Sequence, residues 1–332
     1  ALGTIATAGT VGAASGISGA AKLSEASEIK DAAMSRYRVE RNRLEETHAR
    51  TESRLKSLGE EKVKIWASFW RFKNMFSRIQ NPPIIRGKVP EESVAISLDE
   101  LKSIEAVAIS ARDLLGGGLS SIAAGTLTNL AVSGTGGLIS TFSVASTGTA
   151  ISSLSGAAAS NATLAALGGG SLATGGAGMA GGAAVLGGLT IAPMVMVGGI
   201  MLNSKGKQAL ETAKDIRYEA DEAVQKMQES EVQLNKIGEL VQSIQNEMQK
   251  VNEIYLSLLE KMENVVYHKT DYYQFSWTER QTLEKTVLAV QLLKKLTMQT
   301  ILDPEKENPL LEGEVVSCLE DTARQRSIKL CA

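Results

Sequence analysis

The sequence predicts an all-α protein, an elongated helical bundle with long coiled-coil-like helices and a central Gly/Ala-rich hydrophobic helical region. Two observations predict this class. Residues 114–204 contain no Lys, Arg, Asp, Glu or His, and 21 of the 31 glycines lie inside this uncharged block. Beyond the block, apolar residues alternate at spacings of three and four as far as residue 265, which is the pattern of a long helix packed along one face.

Changes in composition divide the chain into five segments. They are a Gly/Ala-rich leader (1–21), amphipathic helices (22–113) that include a basic-aromatic stretch (62–80), the uncharged block (114–204), a long heptad helix with its return helix (205–302), and a short C-terminal helix with a tail (303–332).

In the leader, Ala8, Gly12, Gly16 and Ala20 are spaced four residues apart. In a helix this spacing aligns them on one face, where small side chains allow another backbone to approach closely. We therefore expect Gly12 and Gly16 to be helix-packing positions. A disordered leader is the alternative, because Gly and Thr are poor helix formers.

Residues 22–80 predict a long amphipathic helix, since apolar residues recur along them at threes, fours or their sums. Thr47 and Thr51 occupy positions where apolar residues are expected, and Gly59 is a candidate break. Two shorter helices are therefore the alternative.

The basic-aromatic stretch, residues 62–80, holds two of the three tryptophans and three of the five phenylalanines. Cations next to indole rings suit the headgroup region of an anionic bilayer. We therefore expect a membrane-interface site formed by Lys64, Trp66, Trp70 and Arg71. The alternative is an aromatic face packed on a neighbouring helix, with a solvated basic back.

Pro82 and Pro83 predict the end of this helix and a linker over residues 81–93, because proline cannot continue a helix. A second helix is expected to start near Ser97. Ser97 and Glu100 have the spacing of a capping box, and an apolar helical stripe follows them.

Within the uncharged block, residues 183–202 are long enough and apolar enough to span a bilayer as a helix. Pro193 within them is tolerable in a membrane helix, and Lys205 follows where a headgroup surface would lie. The pair Gly178 and Gly182 predicts another close helix-packing face.

The heptad helix predicts an oligomer seam that includes Leu234, Ile237, Val241 and Ile244. Further apolar residues widen the stripe, so a bundle of three or more helices is expected. A return helix is expected over residues 278–302, and a short amphipathic helix near residues 310–322.

The sequence offers no basis for catalysis. His268 lies near Asp271 without a nucleophile or metal motif, and Cys318 and Cys331 lack neighbouring ligands at metal-binding spacing. The glycine-rich runs lack the Lys of a phosphate loop and the GxGxxG pattern. We therefore expect no enzyme activity, catalytic residue, metal, cofactor or small-molecule substrate. Nucleic acid is also not expected, since the basic stripe is short and the net charge is -2.

Long amphipathic helices on either side of one uncharged segment resemble the α-helical pore-forming toxins of the cytolysin A and haemolysin BL type. That resemblance is one of architecture, and it implies a hydrophobic head that inserts after the long helices rearrange. Residues 149–188 are similar to the glycine-zipper-rich segment of bacterial membrane-associated proteins, a resemblance that implies no established activity. The chain departs from the toxins in the length of its uncharged block and in lacking a visible secretion signal.

The sequence thus favours a non-enzymatic, homo-oligomeric, membrane-associated protein that inserts into a lipid bilayer as a pore or a scaffold. The alternative is a soluble structural or filament-forming helical protein with the Gly/Ala block buried in its core.

Overall fold

The computed structural model describes residues 8–82, 84–85, 96–116, 206–302 and 310–331. Of these residues 90% are helical, so the predicted all-α class is confirmed. The described ranges contain five α-helices: α1 (Ala8–Ser77), α2 (Leu98–Gly116), α3 (Gly206–His268), α4 (Trp277–Thr297) and α5 (Glu312–Gln325).

Four smaller elements are also present in the described chain. A 3-10 turn (Tyr272–Gln274) lies between α3 and α4, and a π-helical segment (Arg326–Leu330) follows α5. Strands β1 (Ile84–Ile85) and β2 (Ile96–Ser97) pair in parallel, with Ile84 opposite Ile96. The linker expected over residues 81–93 therefore includes one short strand.

Helix α1 is one uninterrupted helix, so the alternative of two shorter helices is wrong. Thr47 and Thr51 are buried, and they continue the inward-facing stripe in place of apolar residues. Helix α1 ends at Ser77, and Asn81, four residues later, adopts a left-handed conformation with φ of 52° directly before Pro82. Asn tolerates this region better than most residues.

The described chain forms two compact units, each built from both flanks of the uncharged block. The first unit contains residues 8–49 of α1 and 206–235 of α3. Arg36 pairs with Asp221 at 3.0 Å, and Arg43 pairs with Glu231 at 3.0 Å. Residue numbers rise together along both helices, so α1 and α3 run parallel here.

Alanines form part of the interior of this first unit. One buried cluster joins Ala26 to Ala209 and Ala213. A second cluster is larger and contains Tyr37, Leu44, Ala223, Met227 and Leu234. Where alanines meet, the two helix backbones can approach closely. Their small side chains bury less apolar area than larger ones would.

The second unit contains the remaining described residues of all five helices. Helices α1 and α3 are parallel here too, since Gln245 Nε2 donates to Ser57 Oγ at 3.2 Å and Tyr255 donates to the carbonyl of Ser68 at 3.2 Å. Helix α2 runs antiparallel to α1. Its Glu105 pairs with Lys73 at 2.7 Å, whereas Arg112, two turns beyond, lies over Trp70.

Two capping interactions fix where α2 and α4 begin. Ser97 Oγ accepts the backbone N–H of Glu100 at 3.1 Å, as the sequence predicts for α2. Ser276 and Glu279 form a complete capping box at the start of α4. Helix α4 ends at Thr297, five residues before the predicted end at Leu302.

Helix α3 confirms most of the predicted heptad stripe, which is buried from Ala213 as far as Tyr255 apart from the half-buried Ser230. Towards the end of the helix the stripe shifts by one residue: Leu259 and Val266 are fully buried, while Leu258 and Val265 are half-buried. An α-helix with 3.6 residues per turn drifts against a strict 3.5-residue repeat, which accounts for the shift.

Candidate functional site

Trp66, the first residue of the predicted membrane-interface site, lies in the core of the second unit. Its side chain is 0% exposed, and its Nε1 donates a hydrogen bond of 2.8 Å to Thr297 Oγ1 on α4. The Thr297 hydroxyl in turn donates to the carbonyl of Lys294 at 3.1 Å. The polar edge of the indole is therefore satisfied inside the protein, as buried Trp requires.

The other three residues of this predicted site lie nearer the surface. Trp70 is half-buried, and the Arg112 guanidinium lies 4.5 Å from the centre of its ring. Arg71 makes two hydrogen bonds to Glu263 on α3, of 3.1 and 2.6 Å. Lys64 is exposed.

This conformation therefore does not present the four residues as one lipid-facing surface. The aromatic face packs on neighbouring helices, which agrees with the alternative interpretation of residues 62–80. Phe69, Phe72 and Phe76 are buried, which shows that the aromatic face points inward. A bilayer contact by Lys64 or Trp70 stays a prediction, and Trp66 could take part only after α4 separates from α1.

Lys62 is the first basic residue of the same stretch, and it is also 0% exposed. It occupies a position of the buried α1 stripe, four residues after Leu58 and three before Ile65. Burial lowers the pKa of Lys62 to about 7, and the neighbouring Cys318 on α5 acts in the opposite direction. Burial also raises the pKa of the Cys318 thiol. A titratable amine thus lies inside the second unit.

The four predicted seam residues are all buried within a single chain. Leu234 packs in the first unit beside Tyr37 and Leu44 of α1. Ile237, Val241 and Ile244 are each 0% exposed in the second unit. The chain's own helices thus occupy the seam that we predicted between copies. The homo-oligomer itself stays a prediction.

Polar contacts set the register of α3 in the second unit. Gln245 is buried and donates to Ser57, with Glu61 also within 3.4 Å. On another face of α3, Glu247 accepts two hydrogen bonds from Arg326, of 2.6 and 3.3 Å. Buried polar groups need specific partners, and a shifted helix would lose them.

Gly238 of α3 permits a close approach to α1. A Cβ atom at this position would lie 2.9 Å from the Arg54 guanidinium and 3.8 Å from Thr51 Oγ1. The absence of a side chain therefore lets Arg54 cross the surface of α3 at this point.

Sequence reasoning missed three exposed aromatic side chains at the junction of α3 and α4. Tyr267, Tyr273 and Trp277, here named the aromatic corner, are 73%, 71% and 72% exposed. The sequence shows residues 268–277, which include Tyr273 and Trp277, as a polar-aromatic connection between two helices, but periodicity does not reveal which of its rings face solvent. Phe275, between them, is buried and attaches the connection to the core.

Several predicted features fall outside the described residues. These are Gly178, Gly182 and the candidate spanning segment 183–202. Gly12 and Gly16 lie within α1, which is helical from Ala8 onward. Among the helices that the structure describes, none has a stretch long and apolar enough to cross a membrane. The same residues contain no cluster of three or more His, Cys, Asp or Glu side chains able to hold a metal ion.

Comparison with known proteins found no matching family model, no matching curated protein and no matching solved structure.

Proposed function

We propose that this protein is a non-enzymatic, homo-oligomeric, membrane-associated helical protein that inserts its Gly/Ala-rich block into a lipid bilayer, forming a pore or a membrane scaffold. The observation that carries the proposal is the uncharged block itself, residues 114–204. A block this long without charge is costly to leave uncovered in water, and its small residues suit helix packing in lipid.

The arrangement of the flanking helices supports the proposal. Helix α2 ends at Gly116 and α3 begins at Gly206, so both flanks of the block continue into charged, amphipathic helices. These helices bury their apolar stripes against one another within the chain.

Vesicle binding and leakage test this proposal. The full chain is mixed with phosphatidylcholine vesicles, with and without phosphatidylserine, floated through a density gradient and assayed for release of a trapped dye. We expect flotation with leakage for a pore, and flotation without leakage for a scaffold. A chain that never floats, and is a monodisperse monomer without detergent, contradicts the proposal.

Two substitutions in the block sharpen the test. Gly178→Leu combined with Gly182→Leu places bulk on the predicted packing face, so leakage should fall while flotation persists. Met179→Leu, which lies between them and adds little volume, is the control and should behave like the wild type. Equal leakage from both variants would exclude a close contact at Gly178 and Gly182.

The second candidate is a soluble structural or filament-forming helical protein. The burial of Ile237, Val241 and Ile244 within one chain favours it, because these helices need no lipid to cover their apolar faces. This candidate predicts purification without detergent and the same protease fragments with and without vesicles.

A further inference from the structure

The aromatic corner presents three large rings to solvent within eleven residues of sequence. Tyr267 is the second-last residue of α3, Tyr273 lies in the 3-10 turn, and Trp277 is the first residue of α4. Their exposed fractions of 71–73% contrast with the complete burial of Trp66. The rings are therefore available to a partner in the conformation that the structure shows.

We propose that the aromatic corner is the surface by which the folded protein docks on an anionic phospholipid bilayer. This inference rests on the proposed function, since it names where the same bilayer partner first makes contact. In this proposal the first bilayer contact is made by the aromatic corner and not by the buried Trp66, because the rings of the corner are exposed before any helix moves.

The side chains of the corner have the chemistry of a bilayer interface. Tyr and Trp combine an apolar ring with a polar O–H or N–H, so they can bury the ring among acyl chains while the polar atom stays at the headgroups. An exposed apolar ring also gains free energy when a partner covers it.

Backbone contacts hold the corner in place. The N–H of Gln80 donates to the carbonyl of Thr270 at 2.7 Å, and the N–H of Tyr272 donates to the carbonyl of Gln80 at 3.0 Å. The Arg280 guanidinium donates to the carbonyls of Phe275 and Tyr273, each at 3.0 Å. A preorganised surface loses little conformational entropy on binding.

Charge at this end of the second unit favours an anionic surface over a neutral one. Two nearby carboxylates, Asp271 in the connection and Glu279 in the first turn of α4, already accept hydrogen bonds, from Asn81 at 3.3 Å and from Lys269 at 3.0 Å. Arg280, in the first turn of α4, and Arg78, just after α1, add two further cations. Within residues 78–82 and 267–280 the three cations thus exceed the two carboxylates, and anionic headgroups attract such a surface.

The test uses the full chain with vesicles of phosphatidylcholine alone and of phosphatidylcholine mixed with phosphatidylserine. The variant Tyr273→Ser with Trp277→Ser removes two rings of the corner. The matched control is Tyr218→Ser, because Tyr218 is also 72% exposed but lies in the first unit. We expect the double variant to bind the anionic vesicles about tenfold more weakly, and the control to bind like the wild type.

Trp277 fluorescence gives a readout that does not depend on a disruptive substitution. The difference in emission between the wild type and Trp277→Phe isolates Trp277, and we expect it to shift to shorter wavelength with anionic vesicles. An unshifted Trp277 signal in a protein that floats would overturn the proposal. A loss of self-association in the double variant, seen by sedimentation without lipid, would instead identify the corner as a contact between copies and would also overturn it.

Docking and insertion fail separately in these experiments. One outcome is that the protein floats and the Trp277 signal shifts, while no dye is released and the block is not protected from protease. That outcome supports docking through the aromatic corner and contradicts insertion of the block. Dye release that is equal in the wild type and the double variant supports insertion and contradicts the corner.

Discussion

The indole Nε1 of Trp66 on α1 donates a 2.8 Å hydrogen bond to Thr297 Oγ1, at the last residue of α4. Both side chains are fully buried, and they are 231 residues apart in sequence. This bond joins the predicted membrane-interface stretch to the C-terminal helices. Any exposure of Trp66 to lipid therefore requires this contact to break.

Removing the acceptor of that bond should destabilise the protein. Thr297→Val keeps the shape of the side chain but leaves a buried indole N–H without its partner, which costs about 1–3 kcal/mol. Thr297→Ser retains the hydroxyl and should lose less. Urea unfolding measures both, and a Trp66→Phe, Thr297→Val double-mutant cycle isolates the coupling. Equal loss from the Val and Ser variants would show that the hydrogen bond contributes little.

Lys62 predicts an unusual dependence of stability on pH. Its pKa is about 7 in the folded protein and near 10.5 when the chain unfolds, so between these values the unfolded state binds more protons. The free energy of unfolding therefore rises with pH through this window. Below about pH 7 the amine is protonated in both states, so Lys62 causes no further change there. The free energy of unfolding should increase by roughly 2–3 kcal/mol between about pH 7 and pH 9 from this group.

Lys62→Met should flatten that dependence, so the stability difference between variant and wild type should change with pH. Lys64→Met, at an exposed position two residues along the same helix, is the matched control and should leave the slope unchanged. The measurement is urea unfolding of all three proteins across the pH range. Parallel curves for the wild type and Lys62→Met would contradict the lowered pKa.

Val241→Asp should destabilise the second unit strongly. Val241 is fully buried in α3, so the substitution places a carboxylate in the core, at a cost of about 3–5 kcal/mol. Val232→Asp is the control, since Val232 is 54% exposed on the same helix, and we expect a change within about 0.5 kcal/mol. Thermal melting followed by circular dichroism compares them. An unchanged melt for Val241→Asp would place this side chain on an exposed face in solution.

The Arg326–Glu247 pair should contribute more than a surface ion pair. The Glu247 side chain is only 8% exposed, and Arg326→Ala leaves it with only the more distant Lys250, 3.7 Å away, so we expect a loss of about 1.5–3 kcal/mol. Lys236→Ala removes the partner of the exposed Glu312, where we expect a loss of at most about 1 kcal/mol. Chemical denaturation measures both. Similar small losses would indicate that the π-helical segment is not docked on α3.

Part of the fold could be predicted from local sequence alone. The stripe of α3 from Ala213 to Tyr255 follows from its own spacing, because a helix places residues three and four apart on one face. The start of α2 follows from Ser97, whose hydroxyl satisfies a free N–H of the first turn.

The candidate sites could be predicted less well. Trp66 has the sequence surroundings of an interfacial anchor, yet its partner Thr297 lies on a helix that periodicity cannot pair with α1. Trp277 lies in a visibly aromatic connection, but its exposure depends on how α3, the 3-10 turn and α4 pack. Lys62 appears in sequence as one of several cations, and only packing identifies it as buried.

The sequence by itself determined that this chain is helical, where its apolar stripes lie and that its centre is uncharged, since these depend on residue type and spacing along one helix. Only the tertiary structure decided that α1 and α3 run parallel within one chain, that α1 continues through Gly59, and that Trp66 is enclosed while Trp277 is exposed. The physical reason is that an apolar stripe specifies that a face must be covered, whereas the direction and identity of the covering helix depend on contacts between residues far apart in sequence.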